Sequence, residues 1–104
     1  MAKIGIHPDS KTASFTFDNG YTLSIGVGDH HYSSNHHLKR GDNDELEATF
    51  VEILISGPNG NVETLDGDQV VGWVDPAKLV DVIPLVKMAK YDADITTIYE
   101  ILSK

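Results

Sequence analysis

Apolar and polar residues alternate with a period of two along two neighbouring runs early in the chain. In T-A-S-F-T-F, residues 12 to 17, Ala13, Phe15 and Phe17 share one face. In Y-T-L-S-I-G-V, residues 21 to 27, Tyr21, Leu23, Ile25 and Val27 do the same. Both patterns predict strands with one buried side. Asn19-Gly20 between them is a hairpin signal, and its usual form is a two-residue turn. That turn would set Phe15 and Phe17 beside Thr22 and Ser24, away from their apolar counterparts, since a one-residue slip inverts a strand. A three-residue loop, Asp18-Asn19-Gly20, pairs Phe17 with Tyr21, Phe15 with Leu23 and Ala13 with Ile25. Every apolar residue then shares one face, and glycine suits the left-handed third position. The pattern predicts the longer loop.

Further along, residues 46 to 56, L-E-A-T-F-V-E-I-L-I-S, form the strongest strand pattern. Leu46, Ala48 and Phe50 lie on one face and Val51, Ile53 and Ile55 on the other, which suggests a bulge or a strand covered on both sides. G-P-N-G at 57 to 60 predicts a turn, with Pro58 second and Gly60 left-handed, and residues 61 to 66 predict a returning strand. Residues 2 to 7 predict a short edge strand ended by Pro8. Trp73, after Val70-Val71-Gly72, reads as a core or hinge anchor at a strand–helix junction, with a partner contact as the alternative.

Asp75-Pro76 predicts a helix start, the aspartate capping and the proline at the first helical position. Lys78 stands where a capping-box glutamate would help. Leu79, Val80, Ile83, Val86 and Met88 make a broad apolar stripe, and Pro84 inside it must kink or restart the helix. A last helix starts at Asp94, with Ile95, Ile98, Tyr99 and Leu102 on one side. The fold expected is α+β: an antiparallel sheet of four or five strands, with the C-terminal helix or helices packed on one face. Such a sheet leaves edges, so a homodimer through an edge or apolar face is a further expectation.

Length and composition narrow the function classes. The chain has 104 residues, suited to a single domain over 1–104. Its net charge is -8, from 16 Asp+Glu against 8 Lys+Arg. An acidic surface repels phosphate backbones, so no direct nucleic-acid binding is expected. With no cysteine there is no disulfide, thiolate metal site or cysteine nucleophile. No secretory signal and no apolar run of about 20 residues is seen, so no membrane partner is expected and the location expected is the cytoplasm.

Residues 28 to 45 carry no apolar periodicity and read as a long polar loop, the kind that often holds function. His30, His31, His36 and His37 lie there, beside Asp29 and Asn35. Neutral imidazoles bind zinc and other transition metals, although the HH-x4-HH spacing matches no helical or zinc-finger pattern. The alternative reading is a solvated loop, or one that touches a partner through Asp29, Tyr32, Asn35, Asp42, Asp44 and Glu45. Several histidines together also make a pH-sensitive surface near about pH 6.5. G-V-G-D at 26 to 29 lacks the rest of a phosphate loop, and no G-x-S-x-G elbow occurs. No catalytic residue is assigned, and no cofactor beyond that candidate metal.

T-F-D-N-G-Y-T-L-S-I at 16 to 25, the polar loop with Tyr32 and Asn35, and V-V-G-W-V-D-P-A-K-L-V at 70 to 80 together resemble a group of small phage-encoded accessory proteins. Their shared pattern is a Phe-Asp-Asn-Gly-Tyr hairpin, a middle strand pair and a Gly-Trp/Tyr-x-x-Pro helix start. The resemblance covers about residues 12 to 90. This chain departs from it in Lys78, in the paired histidines and in the longer C-terminal helical segment with Pro84. The resemblance implies a phage accessory protein and carries over no catalytic residue. The function expected is therefore a non-enzymatic acidic binding protein that modulates a host protein, with an anti-defence role as one form of it. The alternatives are a metal-binding protein using the His loop and a small virion-associated structural protein.

Overall fold

The computed structural model describes residues 3–7, 12–27 and 50–103. Strands β1 (Lys3–His7), β2 (Thr12–Thr16), β3 (Thr22–Gly26) and β4 (Val51–Gly57) lie side by side and antiparallel. The far edge of β4 is shared by two short strands, β5 (Gly60–Asn61) and β6 (Val71–Val74). Helices α1 (Pro76–Met88) and α2 (Asp92–Leu102) follow and pack on one face of this six-stranded sheet. The architecture is the α+β arrangement that the patterning predicts.

The β2–β3 hairpin has the three-residue loop. Phe15 pairs with Leu23 and Ala13 with Ile25. The Phe17 N–H donates to the Tyr21 carbonyl at 2.9 Å, and the Gly20 N–H to the Phe17 carbonyl at 3.0 Å. Gly20 has φ +90, a backbone state that a Cβ would strain. Core burial and register decide the loop together: only this pairing puts Phe17, Tyr21 and Leu23 in the core.

The apolar row Ile4–Phe15–Leu23–Ile55 crosses four strands. Leu23 and Ile55 are fully buried beneath the helices, Phe15 is partly covered, and Ile4 on the outer strand is 68% exposed. The other face presents Ser14, Thr16, Thr22, Ser24 and Ser56, short polar side chains in matched register.

Several expected elements come out differently. The strand over residues 61–66 ends at Asn61. Beyond it the chain turns, with the Thr64 N–H donating to the Asp68 carbonyl at 2.8 Å and the Gly67 N–H to the Thr64 carbonyl at 3.0 Å. E-T-L-D-G-D offers little apolar surface to hold a ladder against β4, and Leu65 points to solvent. In β4, Val51, Ile53 and Ile55 are the core face, while Phe50 precedes the strand and is exposed; Leu46 and Ala48 lie outside the described residues.

Helix α1 starts as expected. The Asp75 carboxylate accepts from the Ala77 N–H at 2.9 Å, and Pro76 takes the first helical position. Its buried stripe, however, is Leu79, Val82 and Val86, with Ile83 partly covered; Val80 and Met88 face outward. At roughly 100° per residue, 79, 82 and 86 share a face that 80 and 88 do not. Pro84 is tolerated inside one continuous helix. It sits on the exposed side, as does Val80, whose carbonyl it leaves without a helical donor.

Helix α2 begins at Asp92, two residues before the expected start, and Asp94 is its N3 residue. The Asp94 carboxylate accepts from the Lys90 and Tyr91 N–H groups at 2.9 and 3.0 Å, satisfying donors that the helix itself cannot. The stripe of Ile95, Ile98, Tyr99 and Leu102 is buried as predicted. The Ile55 N–H donates to the Tyr99 hydroxyl at 2.7 Å, and that hydroxyl donates to the Ile55 carbonyl at 3.2 Å. Ile55 lies between the stretch of β4 paired with β5 and the stretch paired with β6, so the phenol stands in for a missing strand neighbour.

Candidate functional site

Trp73 is where the fold departs most from local preference. Ile53 pairs with Val71 and Val51 with Val74, so two residues of β6 oppose Glu52 alone. Gly72 and Trp73 form this bulge. Both flanking valines are buried, and the tryptophan is left 50% exposed. Its backbone takes φ +56, the left-handed region that disfavours any residue with a Cβ. A bulky residue there costs of the order of 1–2 kcal/mol. Trp73 is therefore not the core anchor that its setting in the sequence suggests. The bulge spends the buried positions on Val71 and Val74 and turns the indole outward.

Phe50 stands just before Val51 and is also exposed. Phe50 and Trp73 thus flank the Val51–Val74 pair, one from each strand. Bulges next to sites commonly re-aim a side chain, and aromatics of this kind are the usual anchors of a protein interface.

Two of the surface hollows among the described residues lie elsewhere. One, of about 290 Å³, runs between the end of α1 and α2 and is lined by Leu85, Met88, Ile98 and Ile101, with Lys90 and Asp94 at its rim. The other, of about 310 Å³, is polar, with Thr64, Asp66, Asp68, Glu100 and Ser103 around it. Its carboxylates are exposed and hold no designed ligand geometry; no group of three His, Cys, Asp or Glu suited to a metal occurs among the described residues.

The hairpin tip does something that the sequence did not signal. The Asn19 amide nitrogen donates to the carbonyls of Val86 at 2.8 Å, Ala89 at 2.9 Å and Lys87 at 3.1 Å, closing the C-terminal end of α1. The Tyr21 hydroxyl donates to the Asp92 carboxylate at 2.7 Å. The F-D-N-G-Y stretch therefore grips the α1–α2 junction from the sheet. Burial first, then the bond to Asp92 and the charges of Asp92 and Asp94, push the Tyr21 phenol up to about 12. Burial likewise pushes Tyr99 up to about 12, against the opposing bond from Ile55. The two backbone donors hold the Asp94 carboxyl below its usual range.

The residues singled out for metal, His30, His31, His36 and His37, lie outside the described residues. So do Asp29, Tyr32, Asn35, Asp42, Asp44 and Glu45. For Trp73 the sequence offers a partner contact as the alternative to a core or hinge anchor. The signal for its exposure is the spacing of Val71 and Val74: an odd interval cannot bury both in a strict alternation, so a bulge is needed. Asn19 had no such signal, since its partners lie almost seventy positions away.

Among the described residues, no helix is long and apolar enough to cross a membrane. No family model matches the chain, and neither a curated protein nor a solved structure matches it.

Proposed function

We propose that the protein is a non-enzymatic binding protein of phage origin that docks on a host protein and modulates it, with an anti-defence role as the specific form. The observation that carries this reading is Trp73, half exposed on a bulge in a backbone state that its own side chain disfavours. Strain of this kind persists where the surroundings over-determine it, and it collects at functional positions. An exposed tryptophan, with a second exposed aromatic, Phe50, across the Val51–Val74 pair, supplies large, rigid contact area to a partner. The net charge of -8 adds long-range attraction for a basic surface. The phage origin is supported by the resemblance carried by residues 16 to 25 and 70 to 80. That kinship is architectural in part, because Asn19 and Tyr21 are committed to holding the helices.

The test is affinity capture from bacterial host lysate with three baits: the wild-type chain, Trp73→Gly, and a chain lacking residues 29–44. One host protein retained by the wild type and lost with Trp73→Gly is the expected result. The deletion shows what the His-bearing segment adds. Recovery of no specific partner by the wild type, or the same partner at equal yield with Trp73→Gly, overturns the assignment of this surface.

A further inference from the structure

Asn-Gly occurs twice in the chain, at Asn19-Gly20 and Asn59-Gly60, and the fold treats the two very differently. This dipeptide is the one most prone to spontaneous deamidation, because glycine leaves its backbone nitrogen free of a hindering side chain and lets the chain adopt the reactive geometry. In that reaction the glycine nitrogen loses its proton to solvent base and bonds to the asparagine Cγ. The Cγ–Nδ2 bond breaks, and the nitrogen takes up a proton and leaves as ammonia. Water then adds to either carbonyl carbon of the succinimide ring, which opens to aspartate or isoaspartate. One water is consumed and one ammonia released, with no oxidation or reduction.

At Asn19 every reacting group is already engaged. Nδ2 donates to the carbonyls of Val86, Ala89 and Lys87. Oδ1 accepts from the Tyr21 N–H at 3.2 Å. The Gly20 N–H, which must be deprotonated to attack, donates to the Phe17 carbonyl at 3.0 Å. Attack requires the Gly20 N–H to leave the Phe17 carbonyl and the amide to turn away from its three helix-end acceptors. Asn59 sits in an exposed turn, and the space beside Gly60 is open to at least 4 Å.

We propose that Asn19 is a deamidation site gated by local opening of the hairpin tip, and that its conversion to a carboxylate releases the C-terminal end of α1. An aspartate there points an anionic oxygen, with no N–H, at three carbonyl oxygens. It also places negative charge at the negative end of the helix dipole. Isoaspartate adds a backbone methylene inside a loop whose length sets the strand register. Either product removes the clamp on Val86, Lys87 and Ala89. The apolar hollow lined by Leu85, Met88 and Ile101 stands directly on that junction, so its shape is coupled to the chemical state of one amide.

The second asparagine provides an internal control. The protein is aged in mildly alkaline buffer, native and in strong denaturant, and peptide mass mapping follows Asn19 and Asn59 separately. In the native protein Asn59 is expected to convert at least about tenfold faster than Asn19, because Asn19 reacts only through an opening step. In denaturant the two rates should converge. Equal native rates overturn the gating. For the release, hydrogen exchange over residues 86–92 is compared in the wild type, Asn19→Ala, which removes the donor, and Asn19→Asp, which adds the charge. The expected order of protection is wild type, then Ala, then Asp, with Asp at least about tenfold faster in exchange than wild type. Should Asn19→Asp fail to fold, the Asn19-deamidated fraction of aged wild-type protein is measured in its place. Wild-type protection in the variant or in that fraction overturns the release.

Discussion

The Tyr21 hydroxyl and the Asp92 carboxylate meet at 2.7 Å, joining the end of the β2–β3 hairpin to the first residue of α2. Behind the ring lies Gly57, where an added Cβ would stand 2.7 Å from a Tyr21 ring carbon. Tyr21→Phe removes the bond and leaves the packing, and is expected to cost about 1.5–3 kcal/mol, the range for a bond to a charged group. Gly57→Ala crowds the ring and is expected to cost about 1–3 kcal/mol as an overpacked site. Urea midpoints measure both. Wild-type stability in either variant would mean that the ring is not held as described.

Tyr99 is the corresponding bond at the centre of the sheet. Tyr99→Phe leaves the Ile55 N–H buried without its acceptor, a loss of about 1–3 kcal/mol. The Ile55 carbonyl keeps the Val62 N–H at 3.0 Å, so the loss falls on the donor. Hydrogen exchange at the Ile55 amide checks this directly: protection should fall there more than at Ile53.

Stability should depend on pH at both ends of the range. The Tyr21 and Tyr99 phenols rise from 10.0 unfolded to about 12 folded, so the fold favours their neutral forms. Their contribution is complete below pH 10 and is lost as pH rises toward about 12. Asp94 has the opposite sign. Its folded value lies below 3.8, so its contribution is present above that pH and disappears as pH falls through the folded value. Melting temperature against pH is expected to fall on both limbs. Tyr21→Phe should flatten the alkaline limb and Asp94→Asn the acid one; limbs unchanged in these variants would contradict the assignment.

Trp73→Gly separates a structural role from a binding one. Glycine accepts φ +56 without strain, a relief of about 1–2 kcal/mol that offsets the half-buried indole surface lost, so the variant is expected to stay within about 1 kcal/mol of the wild type. A buried tryptophan lost from a core would instead cost about 3–5 kcal/mol. Thermal unfolding decides between them, and a loss of that size would return Trp73 to the role of an anchor.

Pattern made much of the fold legible. The hairpin loop at Asp18-Asn19-Gly20, the Asp75-Pro76 helix start and the buried stripe of α2 follow from period and from turn and cap chemistry, which act within a few residues. The same reasoning failed where apolar residues exceeded the places available to them. Val80 and Met88 look like core residues and are exposed, because one helix can bury only one face. The strand expected over 61–66 gave way to a turn, since a short polar segment cannot hold a ladder without surface to bury. The candidate surface is half legible: the sequence singles out Trp73 but points to an anchor rather than to an exposed side chain.

Local chemistry, then, settled the β2–β3 hairpin and its turn, the core of β4 and the two helices, because sterics and periodicity operate between near neighbours. Tertiary contact settled the rest. It determined that Asn19 closes a helix far along the chain, that Tyr99 replaces a strand neighbour of Ile55, and that Trp73 faces outward. The first two depend on which backbone groups the packed core leaves unpaired and the third on its burying both Val71 and Val74, conditions that exist only once distant segments have met.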